Sequence, residues 1–163
     1  MATTAQRYHD ISVGHRVVGH ESKCRHLHGH NYRIHFKCEA ASLDSIGRVI
    51  DFSVIKEKLC MWVEKYWDHK FLAWEKDSLI KGIFTLLEMD ENLNGPDYHV
   101  PSEEDAMFQE SIVFTPFNPT AENMAEFLVK VVGPGQLEGT GVTLVEVIIE
   151  ETRKCSCTFT LDK

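Results

Sequence analysis

The sequence predicts an α+β domain: one antiparallel four-stranded sheet with two main helices on one face. Three observations predict it. Segments of strand-like, period-two hydropathy lie at both ends of the chain, over 6–15 and 30–40 and again over 142–151 and 155–161. Two capped helix starts, at Asp51/Ser53 and at Thr120, fall between them. The order is therefore strand, strand, helix, helix, strand, strand, without the regular alternation of a parallel α/β sheet.

Each element has its own signal. The first strand ends at His15. In the second, Tyr32, Ile34, Phe36 and Cys38 alternate with Arg33, His35, Lys37 and Glu39, and His28 and His30 share the apolar parity. Residues 16–27 connect the two strands and carry Cys24. After a turn at Asp44-Ser-Ile-Gly47, a helix runs to about Trp67 with an apolar stripe of Ile55, Leu59, Trp62/Val63 and Tyr66. Residues 75–112 read as an insertion. Within it Leu79, Ile80, Ile83, Phe84 and Leu87 suit a short amphipathic helix, 90–105 has loop composition, and 112–115 is a short strand candidate. The Thr120 cap, with Glu122 in the first turn, opens the last helix. Met124, Phe127/Leu128 and Val131 form its buried face, and Gly133-Pro-Gly is its expected end. Both terminal strands of a four-stranded sheet have exposed edges, which pairing between subunits would cover.

Composition narrows the classes. At 163 residues the chain is expected to be one domain, 1–163, with 75–112 inserted in it. No apolar run is long enough to span a membrane, and the N-terminus carries no apolar leader, so no membrane partner is expected. Five cysteines fit no disulfide framework, which points to a reducing, cytoplasmic setting. The net charge of −8 argues against nucleic-acid binding. That excess belongs to 75–112, with ten acidic residues and two lysines; the other fifteen acidic and fifteen basic residues balance. An anionic small substrate is thus compatible with the rest of the chain.

The densest chemistry lies in Cys24-Arg-His-Leu-His28-Gly-His30, with His15 upstream. Neutral imidazoles suit zinc, and three protein ligands leave a position open for water or substrate. Nine histidines make chance pairs common, His26 shares the strand parity and His20 is near, so spacing alone does not select three. Cys24 is flanked by Lys23 and Arg25, cations that favour a thiolate, against the commoner role of a buried small hydrophobe. Cys38 and Cys60 read as core. Asp68-His69 is either a helix-end pair or a proton relay. Of Glu150 and Glu151, one is expected to face inward and to need a multi-donor partner.

Together these pieces resemble the 6-pyruvoyl-tetrahydropterin synthase / 6-carboxy-tetrahydropterin synthase family. The resemblance rests on Val13-Gly-His15, Cys24-x-x-x-His28-Gly-His30-Asn-Tyr32, Gly47-x-Val-Ile-Asp51-Phe52, Asp68-His69-Lys-Phe-Leu72, Asn118-Pro-Thr120-Ala-Glu122-Asn123 and Glu151-Thr152, and covers nearly all of the chain outside 75–112. It implies a tunnelling fold, in which subunits join sheets into a barrel, and a homo-hexamer of two trimers. It implies Zn2+ held by His15, His28 and His30. It implies Cys24 as proton-abstracting base, Asp68 and His69 as a second proton-transfer unit, Glu151 as anchor for the pterin, and Thr120 and Glu122 as pocket residues. Lys23 and Arg25 are candidate contacts to a triphosphate.

The three-residue gap between Cys24 and His28 resembles the 6-carboxy branch of queuosine biosynthesis, and Leu27 stands where some dual-function relatives carry glutamate. The expected activity is a zinc-dependent 6-carboxy-5,6,7,8-tetrahydropterin synthase, a lyase acting on 7,8-dihydroneopterin triphosphate and releasing acetaldehyde and triphosphate. The alternatives are 6-pyruvoyl-tetrahydropterin synthase and a non-catalytic zinc- or pterin-binding module. The insertion is expected to be peripheral and to contribute no catalytic or zinc-binding group.

Overall fold

The computed structural model describes residues 3–89 and 109–162. Strands β1 (Thr4–His15), β2 (His28–Ala40), β5 (Val142–Thr152) and β6 (Cys155–Thr160) form the expected antiparallel set. β1 and β2 pair along their whole lengths, from Thr4 opposite Glu39 to His15 opposite His28. Among the described residues the sheet has six strands, however, since β3 (Lys70–Trp74) and β4 (Ile112–Thr115) extend it in the order β4-β3-β1-β2-β5-β6. β3 runs parallel to the end of β1, and β4 runs parallel to β3. The strand candidate at 112–115 is β4, but the four-strand expectation left it out of the sheet and missed β3, whose five residues are too few to set up a clear alternation.

These two strands bracket 75–112. Its last residue, Ile112, begins a sheet strand, and the Glu75 amide donates to the Thr115 carbonyl at 2.9 Å. The amphipathic stretch forms helix α2 (Ser78–Met89). Asp77 caps it, accepting from the Leu79 and Ile80 amides at 3.0 and 3.4 Å, and is itself buried. The expected loop at 90–105 lies outside the described residues.

Helix α1 spans 52–66 and α3 spans 121–137. Asp51 caps the first through the Ser53 amide, and Thr120 caps the second through the Asn123 amide. Each contains a π-helical turn, Lys56–Cys60 in α1 and Leu128–Val132 in α3. A π turn inserts an extra residue into the helical repeat and rotates everything after it. Two sequence expectations fail for that reason. Tyr66 is exposed while Trp67 is buried, and Val131 is exposed while Val132 is buried. α3 also continues through Gly133–Leu137 instead of ending at Gly133-Pro-Gly. Gly133 is needed there for packing: a Cβ would sit 2.9 Å from the Leu144 side chain.

The core lies between these helices and one face of the sheet. Leu59, Val63, Trp67, Met124 and Leu128 are buried with Tyr32, Ile34, Phe36, Leu144, Val147 and Ile149. The opposite face is polar, with Arg33 paired to Asp10, His35 to Glu150 and Lys37 to Glu146 across neighbouring strands. No helix among the described residues is long and apolar enough to cross a membrane.

Candidate metal centre and adjoining cleft

The β1–β2 register places His15 opposite His28, and His30 two residues along β2 on the same face. One ring nitrogen from each of the three lies within 4.8 Å of the others. Gly29 makes this approach possible, because a Cβ there would lie 2.8 Å from the Val13 carbonyl oxygen. His26 and His20 lie outside the cluster.

Hydrogen bonds at the far side of the rings fix which nitrogens point inward. His15 Nδ1 is 2.7 Å from the Pro119 carbonyl oxygen, and His28 Nδ1 is 2.8 Å from that of His26. A carbonyl only accepts, so both Nδ1 atoms carry hydrogen and donate. In the neutral rings both Nε2 atoms then carry lone pairs, and these face each other at 3.1 Å. His30 Nε2 is buried without a hydrogen-bond partner, although Glu151 Oε1 stands 3.4 Å away. Burial pushes the His15 and His30 imidazoles down from their ordinary range and so favours the neutral form. Two opposed lone pairs and a buried nitrogen without a hydrogen-bond partner make a converging neutral donor set, so the residues fit a metal ion. Tyr32 closes the floor, its hydroxyl 3.2 Å from His15 Nε2, and burial raises its phenol.

Beside the cluster is a cleft of ≈ 260 Å³ lined by His15, His20, Cys24, Thr120, Glu122, Glu151, Cys155 and Cys157. Cys24 sits in a tight turn (Lys23–Arg25), half-buried, with its carbonyl accepting from the Val17 amide at 2.8 Å. Glu151 enters from β5 at an irregularity between Glu150 and Thr152, where an extra residue interrupts pairing with β6. Its neighbour Glu150 turns to the other face and meets His35 Nε2 at 2.6 Å. Cys38 and Cys60 are core residues, and burial raises their thiols to about 12 and about 11.

Asp68 and His69 do not line this cleft. They sit at the turn from α1 into β3. Asp68 Oδ1 accepts from the Ser12 amide at 2.8 Å and Oδ2 meets His69 Nδ1 at 2.6 Å. Burial pushes the Asp68 carboxyl up, but these two bonds outweigh it and hold the group below its ordinary value. His69 has a φ of 55°, a left-handed backbone that costs a non-glycine residue energy, and its side chain is 81% exposed. Both residues line a second, larger cleft of ≈ 910 Å³ with Ser12, His30, Asn31, Arg33, Glu151 and Arg153, so this cleft reaches one histidine of the cluster and shares Glu151 with the first cleft. Ser12 and Asn31 have the opposite strand parity from the histidine cluster. Lys23 and Arg25 are exposed and line neither cleft.

Sequence reasoning missed several groups here. The Pro119 carbonyl is a backbone atom and leaves no residue signature. His20, Cys155 and Cys157 in the cleft wall could be found only from the loop and sheet-edge geometry.

Residues 4–162 match the family model described as 6-pyruvoyl tetrahydropterin synthase. The 6-carboxy-5,6,7,8-tetrahydropterin synthase of Rickettsia typhi is 30% identical over 146 residues, covering 90% of this chain and 91% of the relative. The Rickettsia felis protein of the same name is 29% identical with the same coverage. Among solved structures, an uncharacterized protein from Wolinella succinogenes has a TM-score of 0.81 at 22% identity, with 99% of each chain covered. The Caenorhabditis elegans 6-pyruvoyl tetrahydropterin synthase has a TM-score of 0.61 at 20% identity, covering 99% of this chain and 97% of that one. These two establish the shared tunnelling fold. With a family model matched from the first strand to the last, the chain belongs to the 6-pyruvoyl tetrahydropterin synthase family.

Proposed function

We propose that this protein is a zinc-dependent 6-carboxy-5,6,7,8-tetrahydropterin synthase, converting 7,8-dihydroneopterin triphosphate to 6-carboxytetrahydropterin, acetaldehyde and triphosphate in the cytoplasm. The observation that carries the proposal is the joining of the His15/His28/His30 cluster to a cleft containing Cys24, Thr120, Glu122 and Glu151. The names of the Rickettsia relatives favour the 6-carboxy product.

Zinc held by the three histidines would polarise the substrate's side-chain oxygens and stabilise enolate-like charge. The chain's own residues supply the rest. Glu151 accepts hydrogen bonds from the amino-pyrimidine edge of the pterin and fixes its orientation. The small volume beside Thr120 and Glu122 excludes water from the bound ring. Cys24 takes a proton from the substrate side chain. His69, with its Nδ1 hydrogen held by Asp68, presents Nε2 for the second proton transfer. His69 is 81% exposed and does not line the Cys24 cleft, so in a barrel-forming hexamer it would be available to the site of a neighbouring subunit. Lys23 and Arg25 are reserved for the triphosphate.

The family model and the C. elegans structure carry the 6-pyruvoyl name, which keeps that product as the second reading. Mass analysis after incubation with dihydroneopterin triphosphate separates the readings. Carboxytetrahydropterin with acetaldehyde is the expected result. A product retaining all side-chain carbons gives the 6-pyruvoyl activity, and unchanged substrate with a zinc-loaded protein gives a binding module.

A further inference from the structure

The link between α2 and the Cys24 turn is not explained by the chemistry above. Asp77 is the only buried acid among the described residues, with 1% of its surface exposed. One of its oxygens caps α2. The other accepts from Arg16 Nε at 2.6 Å. Arg16 follows His15 directly, and its Nη1 reaches across to the Arg25 carbonyl at 3.4 Å, the residue next to Cys24. The turn is held on its other side by the bond from the Val17 amide to the Cys24 carbonyl, and Val17 is the residue after Arg16. A guanidinium is suited to this task, since its fixed fork can serve a carboxylate and a carbonyl together.

The buried carboxylate is an expensive way to cap a helix. A Ser, Thr or Asn would accept the same amide hydrogens without a desolvated charge. The charge gains a purpose only through Arg16, whose side chain it aims at the Cys24 turn. We infer that Asp77 and Arg16 are positioning residues for Cys24: the start of the 75–112 segment, by way of one ion pair, sets where the thiol stands relative to the histidine cluster. This deepens the role given to Cys24 and rests on that reading. Asp77 belongs to 75–112, so that segment would position the site without supplying a catalytic or zinc-binding group.

The test uses the full-length, zinc-loaded protein and two readouts. One is the rate of Cys24 alkylation by iodoacetamide, resolved by peptide mass spectrometry from the other four cysteines. It needs no turnover, so it stands even if the assigned reaction is wrong. The other is kcat against KM for dihydroneopterin triphosphate. Arg16→Met is expected to free the turn. Alkylation of Cys24 rises, kcat falls on the order of 10²-fold, and KM stays within about twofold, as for a misplaced reacting group. Asp77→Asn keeps the helix cap and removes the charge, and is expected to move both readouts in the same direction.

The decisive variant is Arg16→Met/Asp77→Asn. It leaves no unpaired buried charge, so it is expected to melt close to the parent. Its Cys24 is nonetheless expected to react as in Arg16→Met, because nothing holds the Arg25 carbonyl. If the double variant recovers the parent's alkylation rate and kcat, the pair only balances charge and the inference is overturned. Single variants with parental alkylation rate and kcat overturn it as well.

Discussion

The two clusters of candidate chemistry are built on opposite terms. His15 and His28 are held from behind by backbone carbonyls, and with His30 they are pressed together by paired strands and closed below by Tyr32. Asp68 is fixed just as firmly by the Ser12 amide, but the His69 it orients is 81% exposed on a strained turn. The first cluster has the donors and neighbours of a site complete within one chain. The second has a rigid base on the wall of a wide cleft. The left-handed backbone at His69 costs energy that its exposed side chain does not recover by burial, and the proposed hexamer would bring that side chain to a neighbouring site.

The contrast can be broken most directly at the metal. His28→Ala/His30→Ala is expected to lose zinc and all turnover, measured by metal analysis and product formation. Full zinc occupancy in that variant would show that the inward-facing nitrogens serve something else. Cys24→Ala is expected to retain zinc and fold and to lose turnover by roughly 10²-fold, the scale of a general base. Cys60→Ala, in the core, should show a packing cost without that loss.

The acid side sharpens the second cluster. The Asp68 carboxyl is held below its ordinary 3.8, so its bonds stabilise the fold fully above that value and are lost as pH falls through the lower folded-state value. The difference in Tm between the parent and Asp68→Asn is therefore expected to be constant at neutral pH and to shrink below about pH 4. A difference that grows on acidification would contradict the bond to the Ser12 amide. The smallest effect is expected from replacing 90–105 with a Gly/Ser linker. Zinc content and the chemical step should survive, and capture of an anionic substrate should quicken as negative charge is removed.

What could be read in the sequence follows from how each feature is encoded. His28 and His30 are legible because strand parity turns spacing into direction, and Thr120 because a cap has a residue signature. The choice of His15 over His20 or His26 depends on the β1–β2 register, which spacing alone does not supply. The π turns are invisible because periodic reading assumes a constant repeat, which misassigned Tyr66 and Val131. β3 is too short to alternate, and β4, legible as a strand at 112–115, joins the sheet only through β3, so the sheet was read as four strands. The Arg16–Asp77 pair joins residues 61 apart in sequence, and the acidic composition around Asp77 suggested only a solvated segment.

Subunit complementation tests the division between the clusters most directly. Cys24→Ala and His69→Ala chains, each inactive alone, are dissociated, mixed in equal amounts and reassembled. If Cys24 of one chain works with His69 of another, about a quarter of the sites in a randomly mixed symmetric oligomer hold both intact groups, and activity should return in that proportion. No recovery in mixed oligomers of confirmed composition, or full activity from a strictly monomeric parent in sedimentation, would contradict a shared site and return His69 to its own chain.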